Sequence, residues 1–301
     1  MRGRYAPSPT GHLHLGNLRT ALLAWLFARS TDSSFLLRFE DLDDDAVRPE
    51  YYDAQRDALT RLGLDWDAEL RQSEHRDRYR SAVGDLVGAG LTYECFCSRR
   101  EIREAVAAPH GESAEGSYPG TCRELSSATR RDHERAGKPA AIRLRAAGER
   151  VQYHDRLLGT ITTVLDDTVI ARRNGTPAYN LVVVVDDAYQ GVEEVVRGDD
   201  LASSTGRQLA IGSHLGTATP SYAHVPLVLG PDGNRLAKRD GAVTLDDRRA
   251  LGETDVQVRG TLAASLGLAD PGTEPTLVEL LDRFVPEALP RHPWQLGPVL
   301  L

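Results

Sequence analysis

The spacing of apolar residues changes character along the chain, and each change predicts an element. Leu18, Leu22, Trp25 and Leu26 recur at three- and four-residue intervals, which predicts a helix over 15–29. The run 35–39 is strand-sized and ends in an acidic cluster over 40–45. Two further helices are expected over 49–62, where Pro49 suits a first turn, and over 76–89, stopped by Gly90. Such alternation predicts an α/β fold whose parallel sheet is built with helical crossovers.

From residue 93 the texture shifts. A Gly/Ser/Pro-rich stretch over 109–120 precedes a basic helix over 126–137, and then come β-like segments over 141–145 and 158–164. The α/β pattern resumes with the continuous apolar run 181–185, which reads as a fully buried strand. A short strand over 194–199 and a helix containing Gln208 and Ile211 follow, and then the apolar triplet 227–229 precedes a Gly-Pro turn. Beyond Leu251 the pattern predicts two short helices and a Pro-rich tail. Four segments result: 1–92 and 178–250 as halves of one α/β domain, 93–177 inserted between them, and 251–301 as a short helical piece. No internal repeat or heptad pattern is present.

Composition narrows the function classes. Hydrophobic residues make up 41% and charged residues 27% of 301 residues, as in a soluble globular protein. No apolar run approaches a membrane span, and the N-terminus lacks the apolar core of a signal peptide, so a cytoplasmic location is expected. A net charge of −8 excludes a basic nucleic-acid coat. Residues 95–150 nevertheless hold 11 Arg and Lys against 8 Asp and Glu. Arg123, Arg130, Arg131, Arg135 and Lys138 could offer RNA phosphates a local basic face, although a solvated helix explains them equally well. Lys138 and Lys238 are the two lysines of the chain, and the role of Lys138 is left open.

Cys95, Cys97 and Cys122 fall in one short window and are too few for a disulfide scaffold. Without an export signal, such a cluster reads as metal ligands before disulfides; three buried free thiols are the alternative.

Two stretches carry phosphate chemistry. In 7–17 an extended, Pro-rich segment runs into a helix N-terminus, whose unpaired N–H groups and positive dipole favour phosphate. His14 and Asn17 can add side-chain donors, and Gly16 permits close approach of a ring or phosphate. In 234–240 a Gly-rich loop carries Lys238, a flexible ammonium able to follow moving phosphate charge.

In this order, and flanking an insertion, His14-Leu15-Gly16-Asn17 resembles the HIGH signature of class I aminoacyl-tRNA synthetases, and 235–239 resembles KMSKS. The words 4–11, 37–43, 179–187 and 196–200 are similar to those of the glutamyl-tRNA synthetases. That resemblance implies a Rossmann-type catalytic domain with an inserted α+β zinc subdomain. It implies a glutamate pocket formed by Arg4, Tyr5, Ala6, Pro7, Ser8, Glu40, Tyr179 and Arg197. Arg4 and Arg197 would take carboxylates, Glu40 the α-ammonium, and Ser8 and Tyr179 would offer hydroxyls. ATP, arriving with magnesium, would meet His14, Gly16, Asn17 and Lys238, with His14, Asn17 and Lys238 as the catalytic set. One structural zinc would sit on Cys95, Cys97, Tyr118 and Cys122, with His110 or His133 as replacements for the tyrosine. Arg235 stands at the first lysine of KMSKS and Ala237 at its serine, so a hydroxyl donor is missing. Most of the carboxylates over 41–45 read as a solvated rim.

Only about fifty residues follow Leu251, too few for an anticodon-binding module. The chain thus resembles the truncated branch of that family. Its members activate L-glutamate without tRNA and esterify it to queuosine at the wobble position of tRNA(Asp). A monomer acting on those partners is the expectation. The alternatives are a minimal glutamyl-tRNA synthetase charging the 3′ end of tRNA(Glu), and a non-catalytic tRNA-binding paralogue.

Overall fold

The computed structural model describes residues 1–106, 118–236 and 243–297. The first part runs β1 (Gly3–Tyr5), α1 (Leu15–Arg29), β2 (Phe35–Phe39), α2 (Glu50–Arg61), β3 (Ala68–Arg71) and α3 (Arg76–Gly88). The middle contributes β4 (Thr92–Cys95), α4 (Arg99–Val106), α5 (Ser127–Arg135), β5 (Ala141–Leu144), β6 (Arg150–Asp155), β7 (Gly159–Val164) and β8 (Val169–Ala171). Then follow α6 (Tyr179–Gln190), β9 (Glu194–Gly198), α7 (Ala202–Leu215), β10 (Ser221–Val225) and β11 (Val228–Leu229). The chain ends with α8 (Leu245–Ala250), α9 (Asp255–Ala264), α10 (Leu277–Arg283) and β12 (Trp294–Gln295).

Seven strands form the main sheet in the order β3-β2-β1-β9-β10-β6-β7, all neighbours parallel except the β6–β7 hairpin. From β1 the chain steps outward to β2 and β3, whereas β9 leads the other way to β10. The strand order therefore reverses between β1 and β9. In open α/β sheets the crevice outside the carboxyl ends of two such strands is where ligands bind. Arg4 and Tyr5 end β1, and Arg197 and Gly198 end β9.

Two sequence expectations need correction. The apolar run 181–185 is not a strand but part of the buried helix α6, where Leu181, Val182 and Val185 pack with residues of α3 and α7. A short continuous apolar run is compatible with either structure, and here burial outweighs the strand preference of β-branched residues. Gly191, at φ 62°, ends the helix in a left-handed turn. In addition, residues 150–164 lie inside the stretch read as an insertion, yet β6 and β7 extend the main sheet at its edge. Only β4, β5 and β8 make a separate antiparallel sheet.

α1 is buried nearly all round, with Leu18, Leu22 and Leu26 fully inside. It lies between the sheet and the C-terminal helices, and Phe27 meets Phe284 edge to face at 5.1 Å. Leu262 and Leu280 share that core, so the C-terminal segment covers α1 rather than standing apart. Helices α8, α9 and α10 begin with reciprocal caps, Thr244 with Asp247, Thr254 with Gln257 and Thr276 with Glu279.

Candidate active site

A cavity of about 510 Å³ opens at the point where the strand order reverses. All eleven described residues of the expected glutamate and ATP sets line it: Arg4, Tyr5, Ala6, Pro7, Ser8, His14, Gly16, Asn17, Glu40, Tyr179 and Arg197. Lys238 and Ala237 lie outside the described residues.

The N-terminus of α1 is organised by His14. Its Nδ1 accepts from the backbone N–H groups of Gly16 (3.1 Å) and Asn17 (3.3 Å), while Asn17 Oδ1 accepts from His14 N–H at 3.2 Å. With Nδ1 engaged as acceptor, the neutral ring carries its proton on Nε2. A Cβ on residue 16 would stand 3.0 Å from His14 Cε1, so Gly16 makes room for the imidazole itself. Leu15 N–H donates to Val243 O at 2.8 Å, tying the helix start to the segment that follows the KMSKS-like stretch. Arg235 pairs with Asp200 at the cavity wall. Gln55, buried on α2, donates to the carbonyls of Ser8 (3.0 Å) and Gly11 (2.7 Å) and shapes the loop entering α1.

The opposite end of the cavity is a cage of buried charge. Arg4 Nε donates to Asp187 Oδ1 at 3.2 Å, and the fully buried Arg38 donates to the same oxygen at 2.6 Å. Burial opposes the charge of Asp187, but Arg38 and Arg4 outweigh it and hold the carboxyl below its ordinary range. Glu40 goes the other way: burial raises its carboxyl despite Arg38, at 3.5 Å, and Arg4. Its ionised form is thus under-compensated, and an incoming ammonium would relieve it. Tyr179, first residue of α6, is pushed up to about 12 by burial and then by Glu40, so its hydroxyl remains a donor at neutral pH.

Arg197 is held differently. Its Nε donates to His224 Nε2 at 3.1 Å and its Nη2 to Thr205 Oγ1 at 2.8 Å, while His224 Nδ1 lies 2.6 Å from Asp155 Oδ2. Arg38, Asp187, Gln55, Thr205, His224 and Asp155 were not singled out from sequence. Arg38 and Asp187 fall inside the family-like words 37–43 and 179–187, and Arg38 is also a charge in the middle of an apolar strand; the other four carried no signal. In the acidic cluster Asp41 is buried, accepting from Ser73 N–H (2.7 Å) and Tyr52 Oη–H (2.7 Å), whereas Asp43, Asp44 and Asp45 are exposed.

Residues 1–267 match the family model described as class I tRNA synthetases (E and Q), catalytic domain. The chain belongs to this family. One relative, named Glutamyl-Q tRNA(Asp) synthetase, from Nocardia farcinica, is 56% identical over 98% of this chain and 92% of its own. The Glutamate--tRNA ligase of Aquifex aeolicus is 41% identical over 81% of this chain but only 53% of its own. Among solved structures, a glutamate tRNA ligase from Elizabethkingia meningosepticum in complex with its amino acid matches with a TM-score of 0.85 at 26% identity. That match covers all of this chain and 68% of that one. Members of this class I family use ATP with magnesium, and the synthetase fold accounts for the position of the cavity.

Away from the cavity, the three cysteine sulfurs lie within 4.8 Å of one another, with Cys97 and Cys122 3.4 Å apart. A tetrahedral zinc site with about 2.3 Å bonds has ligand separations near 3.8 Å, so this group could hold a metal ion. Tyr118 Oη lies 3.4 Å from Cys95 Sγ and accepts from Cys122 N–H at 2.8 Å. His133 instead stacks near Phe96, with ring centroids 4.8 Å apart, and His110 lies outside the described residues.

Four of the five basic side chains expected to form a local face over 123–138 sit near carboxylates. Arg123, Arg130, Arg135 and Lys138 face Asp167, Glu94, Asp132 and Glu101 at 3.7, 3.8, 2.8 and 3.5 Å. Lys138 thus joins the turn after α5 to α4. Among the described residues no helix is long and apolar enough to cross a membrane.

Proposed function

We propose that the protein activates L-glutamate with ATP in the absence of tRNA and transfers it to the cyclopentenediol of queuosine in tRNA(Asp). A glutamate carboxylate oxygen attacks the α-phosphorus of ATP, forming the mixed anhydride and expelling pyrophosphate. A hydroxyl of the modified base then attacks the acyl carbon, loses its proton and releases AMP. The chain's contribution is positioning and charge stabilisation. Arg4 and Arg197 orient carboxylates, Glu40 receives the ammonium and the Tyr179 hydroxyl donates. His14 Nε2–H and the start of α1 face the phosphates, with Gly16 and Asn17 keeping the imidazole in place. Lys238 holds the β- and γ-phosphates, and magnesium arrives with ATP.

The acceptor rests on one observation, the similarity over nearly the whole of both chains to the Nocardia farcinica relative. The test is transfer of labelled glutamate to tRNA from cells with and without queuosine, followed by nuclease mapping. Label on the anticodon stem-loop, only with queuosine, is expected. Label on the terminal adenosine would make the chain a minimal glutamyl-tRNA synthetase. No glutamate-dependent ATP–pyrophosphate exchange would make it a non-catalytic tRNA-binding paralogue. We further propose one structural zinc on Cys95, Cys97, Cys122 and Tyr118, and a cytoplasmic monomer.

A further inference from the structure

Of the buried guanidiniums beside the cavity, Arg4 and Arg38 both donate to Asp187. Arg197 does not share this arrangement: among the described residues no carboxylate forms an ion pair with it, and its partners are the imidazole of His224 and the hydroxyl of Thr205. An N–H of Arg197 can point at His224 Nε2 only if that nitrogen has a lone pair, so the imidazole proton must reside on Nδ1. Asp155 enforces that tautomer. Its Oδ2 accepts from Nδ1, while its Oδ1 accepts from the N–H groups of Leu157 and Leu158, both at 2.9 Å. Asp155, His224 and Thr205 are essentially inaccessible to solvent.

We infer that Asp155 and His224 are positioning residues for substrate carboxylate binding, acting through Arg197 by fixing the imidazole tautomer that accepts from its guanidinium. This rests on the reading above that Arg197 takes a glutamate carboxylate. Neutral partners matter because they aim the guanidinium without cancelling its charge; a carboxylate in place of His224 would compete with the substrate. Asp155 sits at the end of β6, so the edge hairpin supplies the far end of the relay.

Asp155→Asn provides the sharpest test. The amide oxygen can keep the Leu157 and Leu158 N–H bonds, which turns the NH2 toward His224 Nδ1. The imidazole proton is then driven to Nε2, where it opposes the Arg197 N–H. ATP–pyrophosphate exchange on the full chain should show the KM for glutamate raised about tenfold or more, the scale of a hydrogen bond to a charged group. The KM for ATP should stay within about twofold. His224→Gln, able to present an oxygen to Arg197, should suffer less than His224→Leu. In the wild-type protein, ¹⁵N spectra of the His224 ring should show a protonated Nδ1 and a bare Nε2, whether or not any variant folds. An Nε2–H tautomer would overturn the inference. So would a folded Asp155→Asn variant with unchanged glutamate KM, or one whose glutamate and ATP KM values rise together. Absence of glutamate-dependent exchange in the wild type would instead defeat the proposed function, while the tautomer would still report on the relay.

Discussion

Replacing Gly16 by alanine separates two contributions of one residue. The new Cβ would lie 3.0 Å from His14 Cε1, 3.1 Å from Nδ1 and 3.4 Å from Val228 Cβ, so the imidazole must retreat by a few tenths of an ångström or more. Its two acceptor contacts, at 3.1 and 3.3 Å, are already long and share one lone pair, so they count as a single cap. Losing an N-cap costs about 1 kcal/mol. Alanine in place of glycine returns roughly 0.5–1 kcal/mol of helix propensity. These nearly cancel, and the net change in stability should stay within about 1 kcal/mol, or roughly 2–4 °C in Tm. Activity should have no such compensation, because on the proposed function the displaced ring would no longer present Nε2–H to the phosphate chain. Misplacement on this scale costs about ten- to a hundredfold. Glutamate-dependent ATP–pyrophosphate exchange beside thermal unfolding gives both readouts. A variant that exchanges at the wild-type rate would remove the His14 ring from the reaction. One destabilised by more than about 3 kcal/mol would refute the cap arithmetic.

The remaining predictions address the phosphate loop, the metal and pH. Lys238→Ala should slow exchange by about tenfold or more, as expected when a charge-assisted phosphate contact is lost, and an unchanged rate would exclude Lys238 from the mechanism. Elemental analysis should find about one zinc per chain, and Cys97→Ser should lose both metal and thermal stability; well under one metal per chain would defeat the site as proposed. Burial, ahead of the opposing pull of Asp155, lowers the His224 pKa in the fold. The unfolded chain therefore binds more protons there. The stability from a neutral His224 is complete above about pH 6.5 and declines on acidification, by at most about 1.4 kcal/mol per pH unit. Burial opposes ionisation of Asp155, but His224 and the Leu158 and Leu157 N–H groups hold its carboxyl below the usual range, so its contribution is lost only below about pH 4. Urea unfolding at pH 7.5 and 5.5 should show the wild-type advantage over His224→Gln narrowing, whereas a pH-independent gap would contradict a neutral imidazole.

Local patterning made α1, β2, α2 and α3 legible in the sequence: α2 and α3 bury a stripe at helical spacing, α1 keeps that spacing although it is buried nearly all round, and β2 is a short run buried at every position. It could not distinguish a strand from a buried helix at 181–185, where every position is apolar and only length and tertiary packing decide. The expected glutamate and ATP residues that line the cavity were legible because they cluster in short words at strand ends and at one helix start. Their supports were not. Asp187 joins Arg4 across 183 residues, and Asp155 joins His224 across 69. A carboxylate that meets its partner only after the sheet has formed carries no local pattern. The cysteine cluster was legible as a metal-binding candidate from spacing alone, but the nearness of Tyr118 to Cys95 and Cys122 depends on how the chain returns to β4.

The change in texture at residue 93 marks a composition boundary rather than a mechanical one. Asp166, just beyond β7, accepts from Tyr118 N–H at 3.1 Å with one oxygen and from Arg207 Nε at 2.7 Å with the other. Arg207 lies on α7 two residues from Thr205, which holds Arg197. Next to it, the fully buried Asp167 accepts from Tyr93 Oη–H at 2.6 Å and from the N–H groups of Ala146 and Ala147 at 2.8 Å each, fastening β4 to the turn before β6. Gly206 completes the junction: a Cβ there would stand 2.9 Å from Thr163 Cβ, so α7 and the hairpin approach as closely as glycine allows. The cysteine group, the edge hairpin and the element carrying Thr205 are thus joined by short, directional contacts, buried or partly buried. A segment linked in this way is part of the scaffold around Arg197, because Asp155 lies on one of the strands it contributes, His224 bonds to Asp155, and Thr205 lies on the helix packed against that hairpin.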